Sequence, residues 1–94
     1  VVKQVTTANV SLALDETEVR VNNGTSSPTI TLPSVAEARG LIFTIKVISY
    51  TSGTITVARK GSDAWGFASA TFTAADKYKS YLSDGHMWIL IASN

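Results

Sequence analysis

Three residues in the last part of the sequence have the side chains of a catalytic triad. Ser83, Asp84 and His86 lie within four positions, and His86 is the only histidine of the chain. A working triad needs the imidazole hydrogen-bonded between nucleophile and acid, which usually come from separate elements. Asp84-Gly85 instead fits a type I′ hairpin turn, with Ser83 and His86 at paired strand ends and Asp84 at the tip. The spacing therefore predicts no catalytic residue here.

Metal, cofactor and phosphate sites also lack a recognisable pattern. Asp63, Asp76, Asp84 and the single histidine have no known ligand spacing, and the chain contains no cysteine. No glycine-rich phosphate loop, nucleophile elbow or close carboxylate pair is present. We therefore predict that the protein is not an enzyme and that it has no metal and no cofactor.

The charge balance argues against nucleic acid as a partner. Eight Lys and Arg residues oppose seven Asp and Glu residues, and the densest cations are short pairs such as Arg59-Lys60. Phosphate binding normally uses several clustered cations. The apolar runs outside the strand patterns are shorter than the roughly 20 residues that span a bilayer, and no leader pattern precedes them. We expect neither nucleic acid nor membrane as a partner.

The composition favours an all-β chain that buries apolar residues against neighbouring subunits. The chain has 12 Thr, 11 Ser, 9 Val and 7 Ile residues, which suit a pleated, half-buried surface. Charged residues make up 16% and hydrophobic residues 45%, whereas an average protein has about 25% charged residues. Because a chain of this length hides only about 60–65% of its unfolded surface alone, we expect an oligomer or a lattice component.

Alternating apolar and polar residues predict seven or eight short strands and one helical turn. Residues 9–14 and 19–21 alternate as a candidate hairpin, and Asn22-Asn23-Gly24 is a strong turn signal. Residues 33–40 begin with proline and end with glycine, which predicts a short helical turn at about 33–39. The predicted fold class is a small antiparallel sandwich or barrel-like domain.

The strongest strand pattern, at residues 41–49, has large apolar side chains on both faces. One face therefore meets the core and the other meets another subunit or sheet. On the last strand, Met87, Ile89 and Ile91 are expected to face a neighbouring subunit. Seven residues are predicted to pack in the core or in a trimer interface: Ile30, Leu32, Phe43, Ile45, Val47, Trp88 and Leu90.

Three segments carry motifs in a fixed order: TITLPSVAEARGLIFTIKV at 29–47, SGTITVARKGSDAWG at 52–66 and YLSDGHMWIL at 81–90. Together they resemble a β-rich module of tailed-bacteriophage fibre and head-decoration proteins. In that module a strand ending in Leu-Pro-Ser precedes a helical turn and Gly. A Tyr/Phe-Thr-Ile-Lys strand, a Gly-Thr-Val-Thr-Ile strand, a Gly-Ser-Asp loop and a Ser-Asp-Gly-x-x-Trp hairpin follow. The likeness covers about residues 29–91, and it departs at Ala64-Trp65-Gly66, where the module commonly has Ile-Asp-Gly.

The resemblance implies a structural virion protein that assembles as a homotrimer around a three-fold axis. We expect an outer capsid decoration protein, made in the host cytoplasm, that binds the major capsid protein and stabilises the shell. Residues 1–14 are predicted to be an amino-terminal strand or arm, and residues 15–94 a single β domain. The candidate capsid contacts are Val1, Val2, Lys3, Gln4 and Val5.

The alternative is a tail-fibre or head-fibre module that binds a glycan or receptor on the host surface. Trp65 and Phe67 lie beside Gly66 in a polar loop, and with Tyr81 they would be the groups that stack on a sugar. A glycan depolymerase is a third reading. It needs two carboxylates in one groove, whereas the acidic residues here are dispersed over turns.

Overall fold

Ten strands in two sheets make up about half of the chain that the computed structural model describes, namely residues 2–5, 7–61 and 71–94 with the backbone of 64–65. The all-β prediction is confirmed. The strands are β1 Val2–Val5, β2 Val10–Ser11, β3 Glu18–Asn22, β4 Thr29–Thr31, β5 Ile42–Ser49, β6 Ile55–Ala58, β7 Ala64–Trp65, β8 Thr71–Phe72, β9 Tyr78–Ser83 and β10 Met87–Ser93.

The chain changes sheet at every corner from β1 to β6. Sheet A has six strands in the order β1-β3-β5-β9-β10-β7, and sheet B has four in the order β2-β4-β6-β8. Neighbouring strands among these first six are all parallel, because each strand pairs with the one that lies a full circuit further along the chain. Residues 2–58 therefore wind as three stacked circuits of a flattened coil.

Antiparallel strands close the coil at its far end. β9 runs antiparallel to β5, β10 antiparallel to β9, and β8 antiparallel to β6. β10 then pairs in parallel with β7. The predicted antiparallel sandwich is therefore wrong in strand direction: both sheets are mixed, because a chain that crosses between sheets at each corner returns to its own sheet in the same direction.

Two local predictions also differ from the structure. The hairpin predicted from residues 9–14 and 19–21 does not form, because β2 and β3 lie in different sheets. Residues 35–40 form successive turns rather than a helix, and Ala38 N–H donates to Ser34 O at 3.0 Å. Pro33 precedes this segment and Gly40, at φ +82°, ends it. Too few residues remain for a helix to form beyond its unfavourable first turn.

A single apolar core fills the space between the sheets. Six of the seven residues predicted to pack are buried, and the seventh, Leu90, is half-buried and packs against the same core. Phe43 and Trp88 meet edge to face, with ring centroids 5.6 Å apart and planes at 80°. The buried apolar residues are Val5, Leu12, Val19, Val21, Ile30, Leu32, Val35, Ala38, Phe43, Ile45, Val47, Ile55, Val57, Phe72, Tyr81 and Trp88.

The first circuit of the coil is tied to the rest by its side chains. Val5 and Leu12 belong to the shared core. The Lys3 ammonium lies 3.5 Å from the Glu16 carboxylate, and Asn9 Oδ1 accepts the N–H of Thr29 at 2.9 Å. The predicted amino-terminal strand is therefore an integral part of sheet A.

The corners of the second and third circuits stack on one another, and the turn predicted at Asn23-Gly24 is confirmed. Asn23 is 2% exposed, and its Nδ2 donates to Ser26 O at 2.8 Å and to Ser52 O at 2.9 Å. Ser52 N–H donates to Gly24 O at 3.0 Å. Gly53, at φ +92°, lies so close to the Ser26 carbonyl that a Cβ would overlap it. The third corner therefore requires glycine at this position.

We expect Gly53→Ala to lower the free energy of unfolding by about 2–4 kcal/mol, because alanine adds an overlap with Ser26 to an unfavourable positive φ. Gly24→Ala is the matched control, since Gly24 has φ +60° but no atom within 4 Å of an added Cβ, and should cost about 1–2 kcal/mol. Urea denaturation of both variants measures the difference. Equal losses would show that the close approach of the corners adds nothing to stability.

Candidate functional site

The hairpin between β9 and β10 carries the three residues that resemble a triad. Asp84 N–H donates to Met87 O at 3.3 Å, so Gly85 and His86 form the tip. Of these two residues only Gly85 has a positive φ, at +92°, whereas a type I′ turn needs positive φ at both central positions. The predicted hairpin is confirmed, but its tip lies one residue later and has the pattern of a type II′ turn.

The Asp84 carboxylate stabilises this turn by accepting backbone hydrogen bonds. Its Oδ1 accepts the N–H groups of Met87 at 2.8 Å and His86 at 2.7 Å. These two hydrogen bonds lower the pKa of Asp84, and the bond from Met87 has the larger effect. Because the pKa of Asp84 is lower in the folded protein than in the unfolded chain, its carboxylate stabilises the fold fully at pH values above the unfolded pKa, which is near 4. This contribution is lost as the pH falls through the lowered pKa of the folded state. The side chain of His86 is exposed at the tip.

Ser83 is fully buried, and its hydroxyl is committed to backbone groups. Its Oγ donates to Val35 O at 2.5 Å and accepts the N–H of Gly85 at 3.2 Å. Gly40 N–H donates to Ser83 O at 2.8 Å. These bonds join the turns at 35–40 to the hairpin at 83–85, and we term the two segments the turn–hairpin junction. Ser83 therefore has a structural position rather than that of a nucleophile.

Two of the three motif-bearing sequence segments, 29–47 and 81–90, meet at the turn–hairpin junction. Arg39 lies over Gly85 so closely that a Cβ there would be 2.9 Å from Arg39 Cδ. Ser83 N–H donates to Leu41 O at 3.2 Å. The Leu-Pro-Ser turn and the Ser-Asp-Gly hairpin are therefore parts of a single packed unit.

The outer face of sheet A carries a line of apolar side chains. The register places Ile42 beside Leu82, and Leu82 beside Ile89, across β5, β9 and β10. Ile42 is 48% exposed, and the other two are half-buried. Met87 shares this face, because it lies two residues before Ile89 on the same strand. We term Ile42, Leu82, Met87 and Ile89 the apolar row.

The same face becomes polar and then cationic along the strands. Next to the apolar row, Thr44 Oγ1 and Ser80 Oγ share a hydrogen bond of 2.9 Å. One row further, Lys46 lies in register with Arg20 of β3. Lys46 lies four positions after Ile42 on β5, which corresponds to about 13 Å along the strand. The apolar row and the two cations are therefore separated along the strands of one sheet face.

The five candidate capsid contacts differ in accessibility. Val2 and Gln4 are exposed, Lys3 is half-buried, and Val5 is 1% exposed, while Val1 lies outside the described residues. Val5 therefore packs in the core of its own chain and is not available as a surface contact.

The three candidate sugar-stacking residues have different outcomes. The prediction that Tyr81 stacks on a sugar is wrong, because its side chain is 0% exposed in the core. Burial also raises the pKa of its phenol. The backbone of Trp65 lies in β7, in register with Trp88. The Trp65 side chain and the whole of Phe67 lie outside the described residues, so their roles stay predictions.

A surface cavity of about 320 Å³ lies beside Pro33, a feature that the sequence did not predict. Its described lining combines Glu37 and Lys60 with Leu12, Leu14 and several hydroxyl groups. It offers both charges but no aromatic ring on which a sugar could stack. We assign it no ligand.

Comparison with known proteins gives no family for the chain. No family model, no curated protein and no solved structure matches it. In the part of the chain that the structure describes, no helix is long and apolar enough to cross a membrane. The same residues contain no group of three or more His, Cys, Asp or Glu side chains placed to hold a metal ion.

We expect Ser83→Ala to lower the free energy of unfolding by about 1–2 kcal/mol, because it removes a buried donor from the turn–hairpin junction. Ser93→Ala, at an exposed position on β10, is the control and should change stability by less than about 0.5 kcal/mol. Thermal unfolding of the two variants beside the parent tests this. Identical midpoints for all three proteins would contradict a stabilising role for the Ser83 hydroxyl.

Proposed function

We propose that the protein is an outer capsid decoration protein of a tailed bacteriophage, which binds the head surface as a homotrimer and stabilises the shell. Its partners are two further copies of itself and the major capsid protein. It is made in the host cytoplasm and resides on the outer surface of the virion. The proposal is supported by the ordered motifs at 29–47, 52–66 and 81–90 and by the physical character of sheet A.

The observation that carries the proposal is the apolar row. A sheet face that meets water is normally polar, whereas this one has aliphatic side chains in line on three neighbouring strands. Covering a large apolar side chain that is about half exposed contributes roughly 1 kcal/mol. In a homotrimer each of the three copies buries its own apolar row, so self-association through this face is favourable.

The charges on the same face favour contact at its apolar end. Arg20 and Lys46 are about 13 Å along the strands from the apolar row. When three apolar rows meet at a three-fold axis, these cations can diverge from the axis, so that like charges do not oppose one another. Glu18, whose carboxylate lies 3.6 Å from the Arg20 guanidinium, reduces their repulsion further.

Shell stabilisation of this kind needs binding rather than chemistry. A trimer that bridges neighbouring capsid subunits stabilises the assembled state over the dissociated one by mass action. Because many trimers bind one head, their small contributions add and oppose the outward pressure of packaged DNA. The exposed part of β1, at Val2 and Gln4, remains a candidate contact with the shell.

The fibre-module alternative has weaker support among the described residues. Tyr81 is buried, and the cavity beside Pro33 has no aromatic ring in its described lining. Of the three candidate stacking residues, only Trp65 and Phe67 are left for sugar binding.

We expect the purified protein to sediment with three times the mass of one chain, and Ile42→Glu to convert it to a monomer, because a charge in the apolar row opposes burial. Ile48→Glu is the matched control: Ile48 lies on the same strand and is 49% exposed, but it is outside the apolar row. It should remain trimeric. Sedimentation equilibrium measures all three masses. A monomeric parent protein, or a trimer that Ile42→Glu leaves intact, would contradict the proposed interface.

Heads that lack the protein should release DNA at a lower temperature than heads that carry it, and adding the purified protein should restore resistance. Ile48→Glu should restore it as the parent protein does, and Ile42→Glu should not. DNA release measured against temperature tests this. Heads that are equally robust without the protein would exclude the stabilising function.

A further inference from the structure

A surface cavity of about 220 Å³ lies at one end of the core, between β8 of sheet B and the start of β9 in sheet A. Its described lining consists of residues 71–74 with Lys77, Lys79 and Asn94. Two of these side chains are cations, and none is a carboxylate. In this it differs from the cavity beside Pro33, which has both charges. We term it the lysine cavity.

Lys79 occupies a position on β9 that strand alternation gives to the core. It shares a face with Tyr81 and Ser83, both of which are fully buried. In register with it on β5 is the buried Ile45. Because β9 lies between β5 and β10, this inward charge does not protect an edge of its own sheet. A charge that breaks the pattern of a core-facing row is typical of a functional site.

Two contacts hold the Lys79 ammonium at the lysine cavity. Its Nζ donates to Thr71 O at 3.1 Å and lies 5.1 Å from the centroid of the Phe72 ring. An ammonium has three donors, so the bond to Thr71 uses only one of them. The charge is therefore fixed in place with donors that remain for a ligand.

The backbone around Lys77 is held from two sides. Val47 N–H donates to Lys77 O at 2.9 Å, so the ladder between β5 and β9 continues to Lys77. Asn94 Oδ1 accepts the N–H of Tyr78 at 2.8 Å, and Asn94 Nδ2 donates to Asp76 O at 3.1 Å. The rim that carries the second cation is therefore formed before any ligand arrives, which lowers the cost of binding.

The two charges of the lysine cavity are not neutralised by the described chain. Two other cations of the protein pair with glutamates, whereas Lys77 and Lys79 form no ion pair with a described carboxylate. Asp76 precedes Lys77 but does not belong to the described lining. Burial also lowers the pKa of Lys79. An anion in the cavity would favour the charged form and so compensate for this desolvation.

Size and lining specify the occupant of the lysine cavity. A volume of about 220 Å³ is smaller than the roughly 300–1,000 Å³ that takes a drug-sized ligand, so the cavity fits a small molecule. Two unpaired ammonium groups require two negative charges. Ala74 and Phe72 give the lining an apolar part, which favours an aliphatic chain between the charges over an inorganic anion.

We infer that the lysine cavity binds a small aliphatic dicarboxylate of about the size of succinate. One carboxylate lies at the Lys79 ammonium and the other at the Lys77 ammonium, with the aliphatic chain against Ala74 and Phe72. The Cα atoms of residues two positions apart on a strand are about 6–7 Å apart, so the two flexible side chains can hold both ends of a four-carbon chain. The inference does not depend on the virion role proposed above.

The probe is succinate, added to the purified protein at constant ionic strength. Butyrate has the same number of carbons but one carboxylate, and sulfate has two charges but no aliphatic chain. In ¹H–¹⁵N spectra of the full chain, succinate should shift the amide signals of Lys77 and Lys79 most. It should bind at least about fivefold more tightly than either control anion.

Three lysine variants test the position of the site. Lys79→Met keeps an unbranched apolar side chain that suits the core-facing position and removes the charge, so it should fold and bind succinate at least about tenfold more weakly. Lys46→Met is the matched control, because Lys46 is exposed on the outer face of sheet A, and it should bind within about twofold of the parent protein. Lys77→Gln should weaken binding at least about fivefold, and it tests the site even if Lys79→Met fails to fold.

Several results would overturn the inference. Equal affinity for butyrate would exclude recognition of two carboxylates, and equal affinity for sulfate would exclude the aliphatic part. Absence of shifts at Lys77 and Lys79 with about 50 mM succinate, or unchanged binding by a folded Lys79→Met protein, would exclude the cavity as the site. A capped Asp-Asp dipeptide that binds more tightly than succinate would assign the cavity to acidic side chains of a partner protein instead.

Discussion

The corners where the chain passes from one sheet to the other have to satisfy their peptide groups without help from a neighbouring strand. Polar side chains of one circuit do this by bonding to the backbone of the next. Asn9 accepts the N–H of Thr29 at 2.9 Å, and Ser27 Oγ accepts the N–H of Thr54 at 3.0 Å. Asn23 spans the second and third corners in the same way. These bonds align the circuits, and the parallel pairing among β1 to β6 follows from that alignment.

Alternation in the sequence predicts the longer strands and their buried faces, but it predicts seven or eight strands where the structure has ten, and it does not predict their partners. Phe43, Ile45 and Val47 are buried as expected, because a strand with a two-residue period has a defined inner face. The same pattern carries no information on direction. The parallel coil was therefore missed, since it depends on corner contacts made by Asn and Ser, residue types that are common throughout this chain.

The hairpin at 83–86 and the apolar row show why some features of the surface can be predicted from sequence and others cannot. The hairpin at 83–86 was predicted because a turn is decided within a few residues. Only the register across three strands brings Ile42, Leu82 and Ile89 together. The apolar residues on both faces of the segment at 41–49 were the available signal. They indicated that a second face would be covered, but not which other strands would contribute to it.

The fold thus separates three surfaces: a stacked set of corners, an outer face of sheet A with an apolar row and a cationic row, and β1, the edge strand of sheet A in the described chain. The most direct test of how these surfaces are used is electron cryomicroscopy of phage heads that carry the protein. We expect density for three copies around a three-fold axis on the outer shell, with the apolar rows at the axis and Arg20 and Lys46 at the periphery. Density on the tail, or copies that meet through another face, would contradict the proposed assembly.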